Sequence, residues 1–131
     1  VTVAGVLAMS GCAGEHAGGV SRPFPAAAGR GRCAVTKETD VPATMRDGTV
    51  LRADVYRPRT GDPVPVILMR TQYGKSGAQA GSRYHPPDWF ASHCYLVVVQ
   101  DLRGQGTSGG VFSEFTHDME DGYDSVEWAA A

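Results

Sequence analysis

The chain has 131 residues, 42% of them hydrophobic and 8% aromatic, with a formal net charge of -2. That length and apolar content suit one globular domain rather than a disordered chain. The weakly acidic balance supplies no cationic face to neutralise phosphates, so nucleic acid is not an expected partner.

In chain order, Val1 to Met9 form a small apolar run followed by Ser10-Gly11-Cys12. This resembles the end of a bacterial lipoprotein signal peptide, with Cys12 as the lipidated residue, while Ala26-Ala27-Ala28 offers a small-residue cleavage site for ordinary secretion. The run is shorter than the roughly 20 apolar residues needed to span a bilayer. The expectation is an exported protein, extracellular or anchored by lipid. Residues 13–34 are rich in Ala, Gly, Pro and Arg without an apolar period, and read as a disordered tether. Cys33 and Cys94 remain to pair in an oxidising compartment if Cys12 carries lipid, but the preferred reading keeps both free, with Cys94 buried at a helix end. The chain starts at Val1 and stops at Ala129-Ala130-Ala131 within a helical pattern, so a fragment is expected.

From Val35 the pattern becomes that of a folded domain, 35–131. Val35 to Met45 and Val50 to Tyr56 are β-leaning runs around Arg46-Asp47-Gly48, a strong hairpin signal. Val64 to Met69 is a continuous apolar run of the kind buried on both faces of a parallel sheet. A loop from Thr71 to Pro87 follows, then a short helix over Asp88 to His93 and a fourth strand, Tyr95 to Gln100. The crossover suits a parallel pair. After a second glycine-rich loop, Asp118 to Ala131 reads as a helix with acids in its first turn. The result is a mixed α/β sheet that begins antiparallel and turns parallel. With nothing following, the fourth strand would be left as an unpaired apolar edge.

Several short patterns compete for a chemical role. Gly74-Lys75-Ser76 imitates the end of a P-loop, but Met69, Arg70, Gln72 and Tyr73 are bulky where backbone amides must wrap a phosphate. Gly104-Gln105-Gly106-Thr107-Ser108-Gly109 satisfies a dinucleotide fingerprint, yet it does not turn straight from strand into helix. Gly106-Thr107-Ser108-Gly109-Gly110 satisfies G-x-S-x-G, yet Ser108 lies in a loop rather than on a strand-to-helix elbow. His16, His85, His93 and His117 show no metal-ligand spacing. Glu120, Asp121 and Asp124 read as a solvated helix face or as a helix N-terminus favoured by the macrodipole.

Five segments together resemble one family: Met45-Arg46-Asp47-Gly48 with Leu51 to Pro58; Pro65 to Thr71 with Tyr73-Gly74-Lys75; Phe90-Ala91-Ser92-His93; Val97 to Gly104 with Gly106 and Ser108; and Glu120 to Asp124 with Glu127-Trp128. The combination is similar to the X-prolyl dipeptidyl aminopeptidase and cocaine-esterase-like hydrolases. The resemblance implies the first half of an α/β-hydrolase sheet, whose catalytic serine sits on the next strand, beyond Ala131. It implies acyl transfer to water from a small-molecule ester or peptide, X-Pro dipeptides among the candidates, with no cofactor or metal. It also matches Tyr73 to the family's oxyanion-stabilising tyrosine; the competing role for that ring is packing over its loop. Cys94 stands where the family has glycine, and Gln72 where proline is common. A gene product that continues is expected to carry G-x-S-x-G within about 30 residues, and the fragment alone to be inactive. Two other classes stay open: a non-enzymatic exported binding protein, and nucleotide binding through the glycine-rich loops.

Overall fold

The structure, a computed structural model, describes residues 31–79 and 85–131. The leader read over 1–12, Cys12 and most of the tether read over 13–34 lie outside the described residues.

Two antiparallel strands open the described chain, β1 (Val35–Thr44) and β2 (Val50–Pro58). Their turn uses the chemistry of Asp-Gly: Gly48 takes φ 85°, and the Asp47 carboxylate accepts the Thr49 N–H at 3.0 Å. Pro42 is tolerated in β1 because that strand lies at the sheet edge, where a missing donor costs little. The β1 register slips between Glu38 and Val41, and Asp40 within the slip takes φ 54°. A bulge of this kind re-aims a side chain.

Next come β3 (Val66–Thr71) and β4 (Leu96–Asp101), which pair parallel from Val66↔Leu96 to Thr71↔Asp101. Because β4 also pairs antiparallel with β2, the sheet order is β1-β2-β4-β3. Two expectations are corrected here. The fourth strand is not an edge: it is central, and every residue from Val97 to Asp101 is buried. Among the described residues the edges are β1 and β3, and Val66 and Met69 of β3 remain 39% and 44% exposed, so the run read as buried on both faces is only half covered.

Among the described residues three helices accompany the sheet, α1 (Lys75–Gln79), α2 (Pro87–Ser92) and α3 (Asp118–Ala130). The first stands in the segment read as a loop; at five residues it is too short to show an apolar period. The two sheet faces are dressed by different helices, as alternation along β2 and β4 requires. On one face Ala91 and Phe90 of α2 pack with Tyr56, Val97 and Val99; on the other Trp128 and Ala129 of α3 pack with Ala53, Val55 and Val98. Among the described residues no helix is long and apolar enough to cross a membrane.

Polar contacts fasten α3 to the sheet. Asp124 forms a two-pronged pair with Arg46, Asp121 forms another with Arg103, and Ser125 Oγ donates to the buried Gln100 Oε1 at 2.7 Å. The helix N-terminus expected for these acids holds for Glu120 and Asp121, which lie in the first turn of α3, but a solvated face is corrected: Glu120 is exposed and Asp121 is buried.

Cys33 and Cys94 form a disulfide with Cα atoms 5.4 Å apart, which overturns the reading of two free thiols. The Cys33 N–H also donates to Ser92 O at 2.8 Å, so Cys33, within the segment read as a tether, is fastened to the end of α2. Cys94 closes α2 in the way a glycine normally does. Its N–H bonds Ala91 O, the Tyr95 N–H bonds Phe90 O, and Cys94 takes φ 67°. This is a Schellman end, and Phe90 and Tyr95 both pack against the core cluster of Tyr56, Ala91, Val97 and Val99. The departure noted at position 94 thus puts a Cβ where the backbone favours none, at about 1 kcal/mol or more.

Closing a loop with a sequence separation of 61 stabilises the fold by about 4 kcal/mol on the chain-entropy estimate. Reduction, or Cys33→Ala with Cys94→Ala, is expected to lower unfolding free energy by that order, measured by urea titration followed through tryptophan fluorescence. Cys33→Ala with Cys94→Gly is expected to recover about 1 kcal/mol of the loss. Equal stability of the two double variants would show that Cys94 carries no backbone strain.

Candidate functional site

The C-terminal ends of β3 and β4 lie side by side, Thr71 beside Asp101, at the edge of the sheet where open α/β folds gather their ligands. Asp101 ends the central strand and is fully buried. A carboxylate there demands compensation, and it receives it from two directions. The Lys75 ammonium sits 2.9 Å from Oδ2 and the Lys75 backbone N–H donates to Oδ1; the Thr107 N–H donates to Oδ2 at 3.1 Å. Lys75 Nζ further reaches Thr107 Oγ1 at 2.6 Å and Asp40 Oδ1 at 2.7 Å. The bulge in β1 is what brings Asp40 to this cluster.

The phosphate-like motifs acquire a structural meaning from this arrangement. Lys75 of Gly74-Lys75-Ser76 and Thr107 of the glycine-rich loop converge on one anion, and that anion is the protein's own Asp101 carboxylate. Gly106 lets the loop close over it: a Cβ there would lie 2.1 Å from Asp101 Oδ2, at a φ of 51°. Gly104 is equally constrained, with Phe112 N 2.2 Å from the position of a Cβ. Ser108 is engaged structurally, since its Oγ donates to Asp101 O and accepts the Arg52 N–H, both at 2.8 Å. No strand-to-helix elbow presents it, as its sequence context implied.

Tyr73 projects from the β3–α1 connection with its residue 82% exposed. The ring does not pack over its loop. Its backbone N–H donates to Thr71 Oγ1 at 3.1 Å, and Gly74 turns the chain at φ 80° before Lys75. Two surface concavities of about 390 and 410 Å³ on the sheet faces are lined by neither Tyr73 nor Asp101.

Charges in this region are strongly coupled. Burial alone would lower the Lys75 ammonium, but its hydrogen bonds to Asp40 and Asp101 outweigh that and hold it above its ordinary range. The hydrogen bond from Lys75, then that from Thr107, holds Asp40 below the usual carboxylate range. Hydrogen bonds to Asp121 and Asp47 raise Arg103, and Arg103 in turn lowers Asp47. Burial lowers Arg70, which donates to Gln100 Oε1 at 3.1 Å.

Of the residues singled out from sequence, Cys12 lies outside the described residues, and His85 and His93 engage Trp89 by stacking and by a 2.7 Å contact to its carbonyl. Among the described residues no group of three His, Cys, Asp or Glu is placed to hold a metal. Sequence reasoning missed Asp40, Asp101 and Thr107 as a unit. The available signal was a charged residue ending an otherwise apolar strand, which burial would force to find a partner.

A family model described as X-Pro dipeptidyl-peptidase (S15 family) matches residues 47–131. Cocaine esterase from Rhodococcus sp. (strain MB1 Bresler) is 39% identical over 92 residues, covering 69% of this chain and 16% of that enzyme. Among solved structures, a CocE/NonD family hydrolase from Staphylococcus aureus is 30% identical with a TM-score of 0.63, covering 72% of this chain and 20% of that one. An α-amino acid ester hydrolase is 25% identical with a TM-score of 0.57, covering 92% and 22%. The chain spans 16% of the length of the curated relative.

If the glycine-rich loop is shaped around Asp101, Gly106→Ala is expected to destabilise the fold by about 3 kcal/mol, since backbone strain and a clash with a buried carboxylate add. ATP and NAD are expected not to bind in an equilibrium titration. Nucleotide binding with a Kd below about 1 mM would mean that the loops serve an external phosphate instead.

Proposed function

The chain belongs to the X-Pro dipeptidyl-peptidase (S15) family of hydrolases, and from that premise we propose that the complete gene product is an exported serine hydrolase that transfers an acyl group from an ester or amide to water. The sheet order β1-β2-β4-β3 leaves β3 with a free edge, and an α/β-hydrolase continues there with the strand that carries its nucleophile. In that arrangement the serine attacks the substrate carbonyl, a histidine takes its proton, and an aspartate orients the histidine. The tetrahedral intermediate places a negative charge on the former carbonyl oxygen.

The observation that carries this reading is the exposed Tyr73 at the end of β3, in the connection from which α/β-hydrolases draw an oxyanion donor. The residue lies two positions past the end of β3. A phenol held there stabilises charge that exists only in the transition state, which is where binding accelerates chemistry. The 131 residues alone are inactive on this reading, because the one serine in a G-x-S-x-G setting is committed to Asp101 and Arg52.

The test is Tyr73→Phe in the complete gene product. It keeps the ring and removes the donor, so kcat is expected to fall about 100- to 1000-fold, or about 3 kcal/mol, with melting temperature unchanged. A near-normal kcat would remove Tyr73 from the mechanism. A melting temperature several degrees lower, with proportionate loss of activity, would make the hydroxyl structural.

Export is supported by the Cys33–Cys94 disulfide, a bond that persists in oxidising compartments, together with the apolar run ahead of Cys12. In a bacterial host the product is expected outside the cytoplasm with Cys33 and Cys94 protected from alkylation. Cytoplasmic protein with both thiols reactive would refute export, and unchanged mass and membrane partitioning of Cys12→Ser would refute lipidation alone.

A further inference from the structure

Lys75 is buried, and desolvating an ammonium costs several kcal/mol that a well-packed apolar side chain would not incur. What the charged group provides is geometry. Its nitrogen reaches three oxygen acceptors on three different parts of the fold: Asp101 at the end of β4, Asp40 in the β1 bulge and Thr107 in the glycine-rich loop, at 2.9, 2.7 and 2.6 Å. Three donors meet three acceptors, so the ammonium has no unpaired proton. The Lys75 backbone N–H is fixed as well, on the other oxygen of Asp101.

The connection that bears Tyr73 is therefore anchored at both ends. Upstream, Thr71 is held by the sheet and by the Leu102 N–H, which donates to Thr71 O at 2.9 Å. Downstream, Lys75 is held by Asp101. Only Gln72, Tyr73 and Gly74 lie between, so the backbone that carries Tyr73 is a three-residue span between fixed ends. The point and direction from which the Tyr73 side chain leaves the backbone are set by these two anchors, and a displacement of about 1 Å in a catalytic group can cost about 100-fold in rate.

We propose that Lys75 is a positioning residue for catalysis: held by Asp101, Asp40 and Thr107, it fixes the β3–α1 connection so that the Tyr73 hydroxyl meets the developing oxyanion. The inference rests on the reading of Tyr73 as oxyanion donor. Lys75 touches no substrate; it acts through the tyrosine two residues before it. Its influence should therefore appear in kcat and vanish when the tyrosine hydroxyl is gone.

A double-mutant cycle in the complete gene product, with p-nitrophenyl acetate as the probe, tests this. Lys75→Met is expected to lower kcat about 30- to 100-fold with KM within about twofold, and to cost less than about twofold further in the Tyr73→Phe background. If Lys75→Met imposes its full loss on top of Tyr73→Phe, or leaves kcat within about threefold of the parent, the positioning role is overturned while the Tyr73 reading stands. If Tyr73→Phe itself keeps normal kcat, the Tyr73 reading fails and the positioning role with it. Should Lys75→Met not fold, Asp40→Asn and Thr107→Val each weaken one of its contacts at an exposed position. Each is then expected to lower kcat about 3- to 10-fold beside Tyr73 and not in the Tyr73→Phe background. Equal losses in both backgrounds overturn the proposal.

Discussion

A carboxylate at the buried end of the central strand must be neutralised or the fold does not hold, and the region around Asp101 is organised by that requirement. The Lys75 ammonium, the Lys75 and Thr107 amides and the close approach of Gly106 all meet it. An unpaired charge in that position would cost several kcal/mol, a large fraction of the stability of a domain this size. The same contacts join the β1 bulge, the β3–α1 connection and the glycine-rich loop into one rim. The segment that presents Tyr73 is thereby tied to the sheet through electrostatics rather than through apolar packing.

Glycine-rich stretches and a Gly-Lys-Ser triplet are read most readily as phosphate sites because both supply amides and a cation to an anion. Here the supply is real and the anion is internal. The motif grammar was sound about charge and silent about its source. Ser108 teaches a related point: its hydroxyl bridges Asp101 O and the Arg52 N–H, stitching the glycine-rich loop to β2, so a G-x-S-x-G pattern marks a tight loop as readily as a nucleophile.

Much of the architecture is legible in the residues themselves. The Asp-Gly turn, the two apolar runs and the acidic start of α3 specify local structure through backbone chemistry that acts over a few positions. What escaped the sequence is what depends on spatial order. Nothing in Tyr95 to Gln100 says that β4 lies between β2 and β3, so the open edge was assigned to the wrong strand. The Cys33–Cys94 bond depends on where the end of α2 meets the start of β1, and α1 is too short to show a period. Tyr73 is a candidate through family resemblance alone, since one exposed tyrosine in a loop carries no signature of its own. Asp40 was invisible for another reason: a register slip, which no alternation pattern encodes, turns it toward Lys75.

The cluster at Asp101 also bears on the order in which this chain folds. Its members are recruited from Asp40, Lys75, Asp101 and Thr107, and the Thr107–Asp40 contact spans 67 positions. Contacts of such separation require loops to close before they return any energy, which places them late on a folding route dominated by topology. Until β1, β3 and β4 have met, the ammonium and the carboxylates stay hydrated and separate. The hairpin forms from neighbours in sequence and can precede them. The rim that presents Tyr73 is thus among the last parts of this unit to acquire its native shape.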